Sequence, residues 1–195
     1  GRIAAGSSKS VSMSQIVWLL PLSICLLGLE RLAYYLTWRH PEAFAELCTR
    51  PVVRRLGEPV DVLQKAFYLF KVIQLGVIAL WCFVMDTRGP VPRPTEHVTA
   101  LAAGTLLILF GQTLNALVFR SLGKTGVFYG NRFGHDVPWV EGFPFSTFRH
   151  PQYVGAALSV WGFFLVMRFP EPDWFLLPLA QTGLYLVSVA HERRP

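Results

Sequence analysis

Five apolar stretches divide the chain: Ile16 to Leu29, continuing amphipathically to Trp38, then Ala66 to Met85, Val98 to Phe119, Tyr153 to Met167 and Trp174 to Ala190. A bilayer core about 30 Å thick takes roughly 20 apolar residues in a helix. The second and third stretches meet that length; the first, fourth and fifth are short if read strictly. The last two read as a hairpin turned at Phe169-Pro170-Glu171-Pro172. Between the second and third, Gly89-Pro90-Val91-Pro92-Arg93-Pro94 is a stiff, non-helical connector, because proline lacks a donor and fixes φ. The pattern predicts an all-α integral membrane protein, a bundle of four to five transmembrane helices in a single domain over 16–195. Residues 1–15 read as a flexible N-terminal segment.

Composition agrees with the pattern. Of the 195 residues 52% are hydrophobic and 15% charged, against about a quarter charged in soluble domains. The net charge of +6 would raise the question of nucleic acid in a soluble chain, but here the membrane explains it. Arg2, Lys9, Arg88, Arg93 and Arg168 fall on one face of the bundle. Apart from Arg31 and Lys71 inside spans, the other Lys and Arg residues fall on the opposite face, in the Arg39–Lys65 and Arg120–Arg149 loops and the Arg193-Arg194 tail. The positive-inside tendency then puts those loops and the C-terminus toward the cytosol or a mitochondrial matrix. The basic, Ser-rich, acid-free opening from Gly1 to Ser12 suits an organellar transit remnant as well as a disordered tail. Cys25, Cys48 and Cys82 show neither metal spacing nor a disulfide framework and read as buried, inert thiols.

Polar residues inside the spans need partners. Glu30 and Arg31, followed by Tyr34, Tyr35 and Trp38, read as a solvated or snorkelling pair at the interface, with a ligand site as the other reading. Lys71 with Gln74, and Gln112 with Asn115, read as interhelical hydrogen-bonding groups or as the lining of a headgroup cavity. Gly104 and Gly111, two turns apart, allow a close helix approach, and Gly111 could also leave room for a ligand.

The segment from Gly123 to Gly155 carries the candidate chemistry. It reads as a long loop before the fourth helix, with little continuous helical signal and with eight aromatic residues from Phe128 to Tyr153, Trp139 among them. Loops of that length in compact proteins are commonly functional. Its glycines, Gly123 and Gly126 among them, match no nucleotide fingerprint. The sharper element is Arg149-His150-Pro151-Gln152-Tyr153-Val154-Gly155. Pro151 suits the first turn of a helix, which holds Arg149 and His150 at its positive end, where a carboxylate or phosphate is favoured. An interfacial anchor for lipid phosphate is the plainer reading of the same pair.

Arg-His-Pro-x-Tyr-x-Gly at the head of a membrane helix resembles the phospholipid methyltransferase superfamily, which includes phosphatidylethanolamine N-methyltransferases and isoprenylcysteine carboxyl methyltransferases. Leu122 to Gly134, Phe143-Pro144-Phe145 and the ending Tyr185 to Glu192 resemble the N-methyltransferase branch. The resemblance covers about Val98 to Glu192. It implies S-adenosylmethionine as cofactor, transfer of its methyl group to the amine of a membrane phospholipid, and a catalytic-type loop before the fourth helix. It further implies cofactor binding by Gly111, Gly123, Gly126, Arg149, His150, Pro151, Tyr153, Gly155, His191 and Glu192, with Glu192 also the candidate base. No metal and no nucleic acid are expected. The chain departs from the family pattern at Leu109, where a Gly-x-Gly is usual, at His191, where the first Glu of a closing pair is usual, and in ending at Pro195. The departures motivate one alternative, a catalytically inactive subunit of a larger, plausibly respiratory, membrane complex. The Arg-His-Pro form of the motif motivates another, a carboxyl methyltransferase. The membrane expected is the endoplasmic reticulum or the mitochondrial inner membrane.

Overall fold

The computed structural model describes residues 13–138 and 140–192. The readings of residues 1–12, Trp139, Arg193 and Arg194 lie outside the described residues. Met13–Gln15, counted with the flexible segment in the sequence, instead open the first helix.

Among the described residues seven α-helices follow in order: α1 (Met13–Arg39), α2 (Pro41–Thr49), α3 (Pro51–Arg54), α4 (Pro59–Met85), α5 (Val98–Val127), α6 (Pro151–Met167) and α7 (Leu176–Glu192). Helices α2, α3, α4 and α6 each begin on a proline, whose fixed φ suits a first turn and whose missing N–H costs nothing there. At the head of α4, Asp61 accepts a hydrogen bond from the backbone N–H of Glu58 at 3.2 Å. Helices α1, α4 and α5 are long and apolar enough to cross a membrane. With them, the protein is an integral membrane protein built only of helices among the described residues. Helices α6 and α7 have 17 residues each and form the expected hairpin.

The helices stand in an open arc. Helix α5 packs along α6, α6 on α7, α7 on α1, and α1 on α4. The α5–α6 contact is the closest, and glycine sets it. A Cβ added at Gly104 would stand 2.5 Å from the Gly162 carbonyl oxygen, and one added at Gly155 would stand 2.6 Å from that of Gly111. The two glycine pairs are seven residues apart on both helices, about 10 Å of rise. They fix an antiparallel register in which the backbones touch. The space beside Gly111 is thus filled by the backbone of Gly155.

One core cluster joins α1, α4, α6 and α7 through Leu27, Trp81, Met85, Phe164 and Leu177. A second joins α4 to the end of α5 through Leu63, Val118 and Phe128. At the far end of the bundle the connector after α4 is knotted. The Asp86 carboxylate pairs with the Arg88 guanidinium at 2.8 Å and accepts the Arg93 backbone N–H at 2.9 Å. Arg88 reaches the Met167 carbonyl, and Thr95 N–H donates to Val166 O at 2.8 Å. Burial would raise the Asp86 carboxyl, but the Arg88 side chain and the two backbone donors outweigh it and hold the group at about 2.

Three expectations are corrected. Cys25 is exposed on α1, whereas Cys48 and Cys82 are buried as read; one apolar helix facing lipid has no need to turn a small thiol inward. The segment after Gly123 is more regular than a loop: α5 continues to Val127 across a kink at Gly123 (φ +62°), and Gly130–Phe133 forms a 3-10 turn. Glu30 and Arg31 are not at a solvated interface but inside α1, with Glu30 only 5% exposed.

Candidate functional site

Where α5 ends and α6 begins, a cavity of about 200 Å³ opens against α1, α4 and the end of α7. A neighbouring cavity of about 260 Å³ shares Arg31, Tyr34, Tyr129, Tyr153 and Glu192 with it. Glu192, the last residue of α7, stands at the centre. Its Oε1 accepts hydrogen bonds from the Tyr129 hydroxyl at 2.7 Å and the Tyr153 hydroxyl at 2.6 Å. Its Oε2 lies 3.7 Å from His150 Nδ1. Residues from the α5–α6 connection, α6 and α7 thus converge on one carboxylate.

Tyr129 reaches this place from a left-handed backbone, φ +56°. For a tyrosine that conformation costs about 1–3 kcal/mol, and such residues gather at functional sites. Its ring is set edge-on between Tyr34 at 5.8 Å and Trp38 at 5.2 Å. The tyrosines make a ring of π faces around a cation. The Arg31 guanidinium sits 5.1 Å from the Tyr185 centroid, 5.5 Å from Tyr34 and 5.7 Å from Tyr153. Arg31 also pairs with Glu30 at 2.7 Å, and Lys71 reaches the same carboxylate at 3.3 Å. Lys71 donates to Gln74 at 2.9 Å, and the Tyr185 hydroxyl accepts from Gln181 at 2.9 Å. Ionisable groups held this deep in a membrane bundle are a functional signal by default.

The sequence-predicted residues separate into two groups. Gly126, Arg149, His150, Pro151, Tyr153 and Glu192 line the first cavity. His191 lines the second, its ring 4.7 Å from that of Tyr35. Gly111, Gly123 and Gly155 do not reach the wall. Gly111 and Gly155 lie at the α5–α6 contact, while Gly123 makes the kink, with open space where a Cβ would stand. Arg149 and Glu192, at the start of α6 and the end of α7, meet at the same cavity. The sequence reading missed Tyr34 and Tyr185 as wall residues, and held a ligand site for Glu30 and Arg31 and a cavity lining for Lys71 only as second readings. A Glu-Arg pair and a lysine inside apolar runs were the available signal.

The donor set fits a zwitterionic cofactor carrying an extra cationic centre. Arg149 precedes the positive end of α6 and suits a carboxylate. Glu192 suits an ammonium, and the tyrosine faces already hold a soft cation in the form of Arg31.

Comparison with known proteins adds three relatives. A family model described as phospholipid methyltransferase matches residues 99–194. The chain is 34% identical over 127 residues to phosphatidyl-N-methylethanolamine N-methyltransferase of Arabidopsis thaliana, covering 65% of this chain and 67% of that protein. It is 38% identical over 104 residues to phosphatidylethanolamine N-methyltransferase B of Dictyostelium discoideum, 52% of this chain and 50% of that one. With phosphatidylethanolamine N-methyltransferase A of the same organism the identity is 26% over 137 residues, 68% and 62% of the two chains. The match thus spans between half and two thirds of the Dictyostelium proteins. No solved structure matches.

Proposed function

The chain belongs to the phospholipid methyltransferase family, and on that premise we propose that it N-methylates the amine of phosphatidylethanolamine or its partly methylated forms, with S-adenosylmethionine as methyl donor. The observation that carries the reading is the convergence on Glu192: two tyrosyl hydroxyls, His150 and a wall of cation-holding tyrosines around one carboxylate beside Arg149.

When bound, S-adenosylmethionine supplies an electrophilic methyl group on a sulfonium. Arg149 and the positive end of α6 would hold its carboxylate. The faces of Tyr34, Tyr153 and Tyr185, which hold the Arg31 guanidinium, would also suit a sulfonium. For the chain itself, the work is alignment and proton removal. A lipid ammonium has no lone pair to attack with, so a base must take one proton for each transfer. Glu192 is the carboxylate placed for it, and the proton would rest on Oε2, the oxygen facing His150, since Oε1 is already occupied by Tyr129 and Tyr153. The hydroxyls fix the carboxylate's direction, which in an alignment-limited transfer matters most.

All three relatives carry N-methyltransferase names; they lend no support to the carboxyl-methyltransferase and structural-subunit alternatives. The basic loops at the Glu192 end would face the cytosol or matrix. The test is direct: purified protein in phosphatidylethanolamine-containing nanodiscs, given methyl-labelled S-adenosylmethionine, should yield labelled mono-, di- or trimethylated lipid. Label that never enters lipid, under conditions in which the protein stays folded, overturns the proposal.

A further inference from the structure

The arc of helices leaves a gap. Helix α4 is tied to α5 at the site end, by the Lys124–Asp61 pair and the Leu63–Val118 cluster, and to α6 at the far end through Trp81, Met85 and Phe164. Between those ties it stands off α5. The space is a groove of about 900 Å³ walled by α4, α5 and α6 and, at one point, by Tyr185. It adjoins the candidate site: Phe67, Lys71, Gln152, Ala156 and Tyr185 line both.

The groove has a direction and a polarity gradient. On α4 its wall runs from Lys71 to Cys82, and on α5 from Phe119 to Ile108, about 16 Å of helix rise in each case. That is close to half of a 30 Å hydrocarbon core, the depth of one leaflet. At the site end the wall is polar: Lys71, Gln74, Asn115 and Gln152. Midway, Gln112 and Ser159 satisfy each other at 2.8 Å. At the deep end it is Ile78, Cys82, Ile108, Val160 and Phe163. Small residues, Ala79, Ala116 and Ala156, keep it open.

Resting on the proposed function, we propose that this groove seats an acyl chain of the phospholipid substrate, which enters sideways from the bilayer between α4 and α5 with its headgroup turned into the Glu192 cavity. A phospholipid is the occupant the wall describes. Its polarity falls along its length as the groove's does, it is one leaflet long, and its two ends would lie in two spaces that share a wall. Lys71, 31% exposed, is the charged residue that lines both the groove and the cavity, where the phosphate would pass.

The test uses a phosphatidylethanolamine with a diazirine in one acyl chain, in phosphatidylcholine nanodiscs around the full chain. Photolysis should label residues 75–82 and 108–116 in preference to the lipid-facing side of α1 around Trp18, and excess unlabelled phosphatidylethanolamine should compete. Ala79→Trp and Ala116→Trp, which fill the groove without touching the cavity around Glu192, should cut that labelling and methyl transfer to long-chain lipid at least fivefold. Binding of S-adenosylmethionine and transfer to a dihexanoyl analogue should change less than twofold. Labelling spread evenly over α1, α4 and α5 overturns the groove, as do tryptophan variants that label like the parent. Cross-linking of α4 or α5 to a second copy of the chain also overturns it. Groove labelling with no methyl transfer by the unaltered chain overturns the enzymatic reading instead and leaves the lipid seat standing.

Discussion

Replacing Gly155 by alanine tests whether the α5–α6 contact sets the geometry of the site. The added Cβ would stand 2.6 Å from the Gly111 carbonyl oxygen and 2.8 Å from Asn115 Oδ1. Contact at ordinary separation needs about 1 Å more, and the first obstacle is helix backbone, which cannot rotate away as a side chain can. The helices must part, or α6 must slide. Overpacking of this kind costs about 1–3 kcal/mol, and a backbone obstacle belongs at the top of that range. Alanine recovers roughly 1 kcal/mol in helix propensity, so a net loss of about 2 kcal/mol is expected. Tyr153 lies half a turn from Gly155, so the same shift moves its hydroxyl relative to Glu192, and a 1 Å misplacement can cost about 100-fold in rate. The matched control is Gly183→Ala on α7, where nothing lies within 4 Å of an added Cβ; it should be neutral or gain up to about 1 kcal/mol. Thermal unfolding in detergent and labelled-methyl transfer in nanodiscs read both quantities. A Gly155→Ala protein that matches the parent in melting and rate would refute the reasoning, since it would mean that the backbones do not touch.

Glu192→Gln keeps the shape and an acceptor but loses the charge and the base; labelled-methyl transfer at saturating S-adenosylmethionine should fall about 10²- to 10⁴-fold. Tyr129→Phe and Tyr153→Phe each remove one donor to a carboxylate, a hydrogen bond worth about 1.5–3 kcal/mol of stability; each should lower the melting temperature by several degrees and, by loosening the carboxylate's direction, lower kcat up to about 100-fold. The Asp86 knot titrates in acid. Its carboxyl sits at about 2 in the folded protein against an ordinary 3.8, so its contribution of about 2 kcal/mol is complete above pH 4 and fades as pH falls from 4 toward 2. Chemical denaturation between pH 6 and pH 2 should show that loss in the parent and a flatter profile in Asp86→Asn.

Much of the fold was legible because lipid imposes a simple rule: long apolar runs become helices, and α1, α4 and α5 follow it. Pro151 announced the start of α6, and the Arg149–Tyr153 motif pointed to the cavity it lines. Glu30 and Arg31 were misplaced because an ionisable pair near aromatic residues reads locally as an interface; only the packing of α1 on α4 and α7 brings Lys71 and Tyr185 beside it. The continuation of α5 past Gly123 was hidden for a related reason. A glycine and a run of aromatics signal a loop, and the contacts of Phe128 with Phe67 and Phe119 that carry the chain onward are tertiary.

Helices α6 and α7, at 17 residues, span about 26 Å, whereas α1 and α4, at 27, span about 40 Å. A bilayer meeting both must thin beside the hairpin or let the long helices lean, and either response costs a fraction of a kcal/mol per ångström of mismatch. A hydrocarbon layer near 27 Å matches the hairpin almost without adjustment. Thicker, sterol-rich layers would bear first on that hairpin, whose two helices carry Tyr153 and Glu192 at the same end.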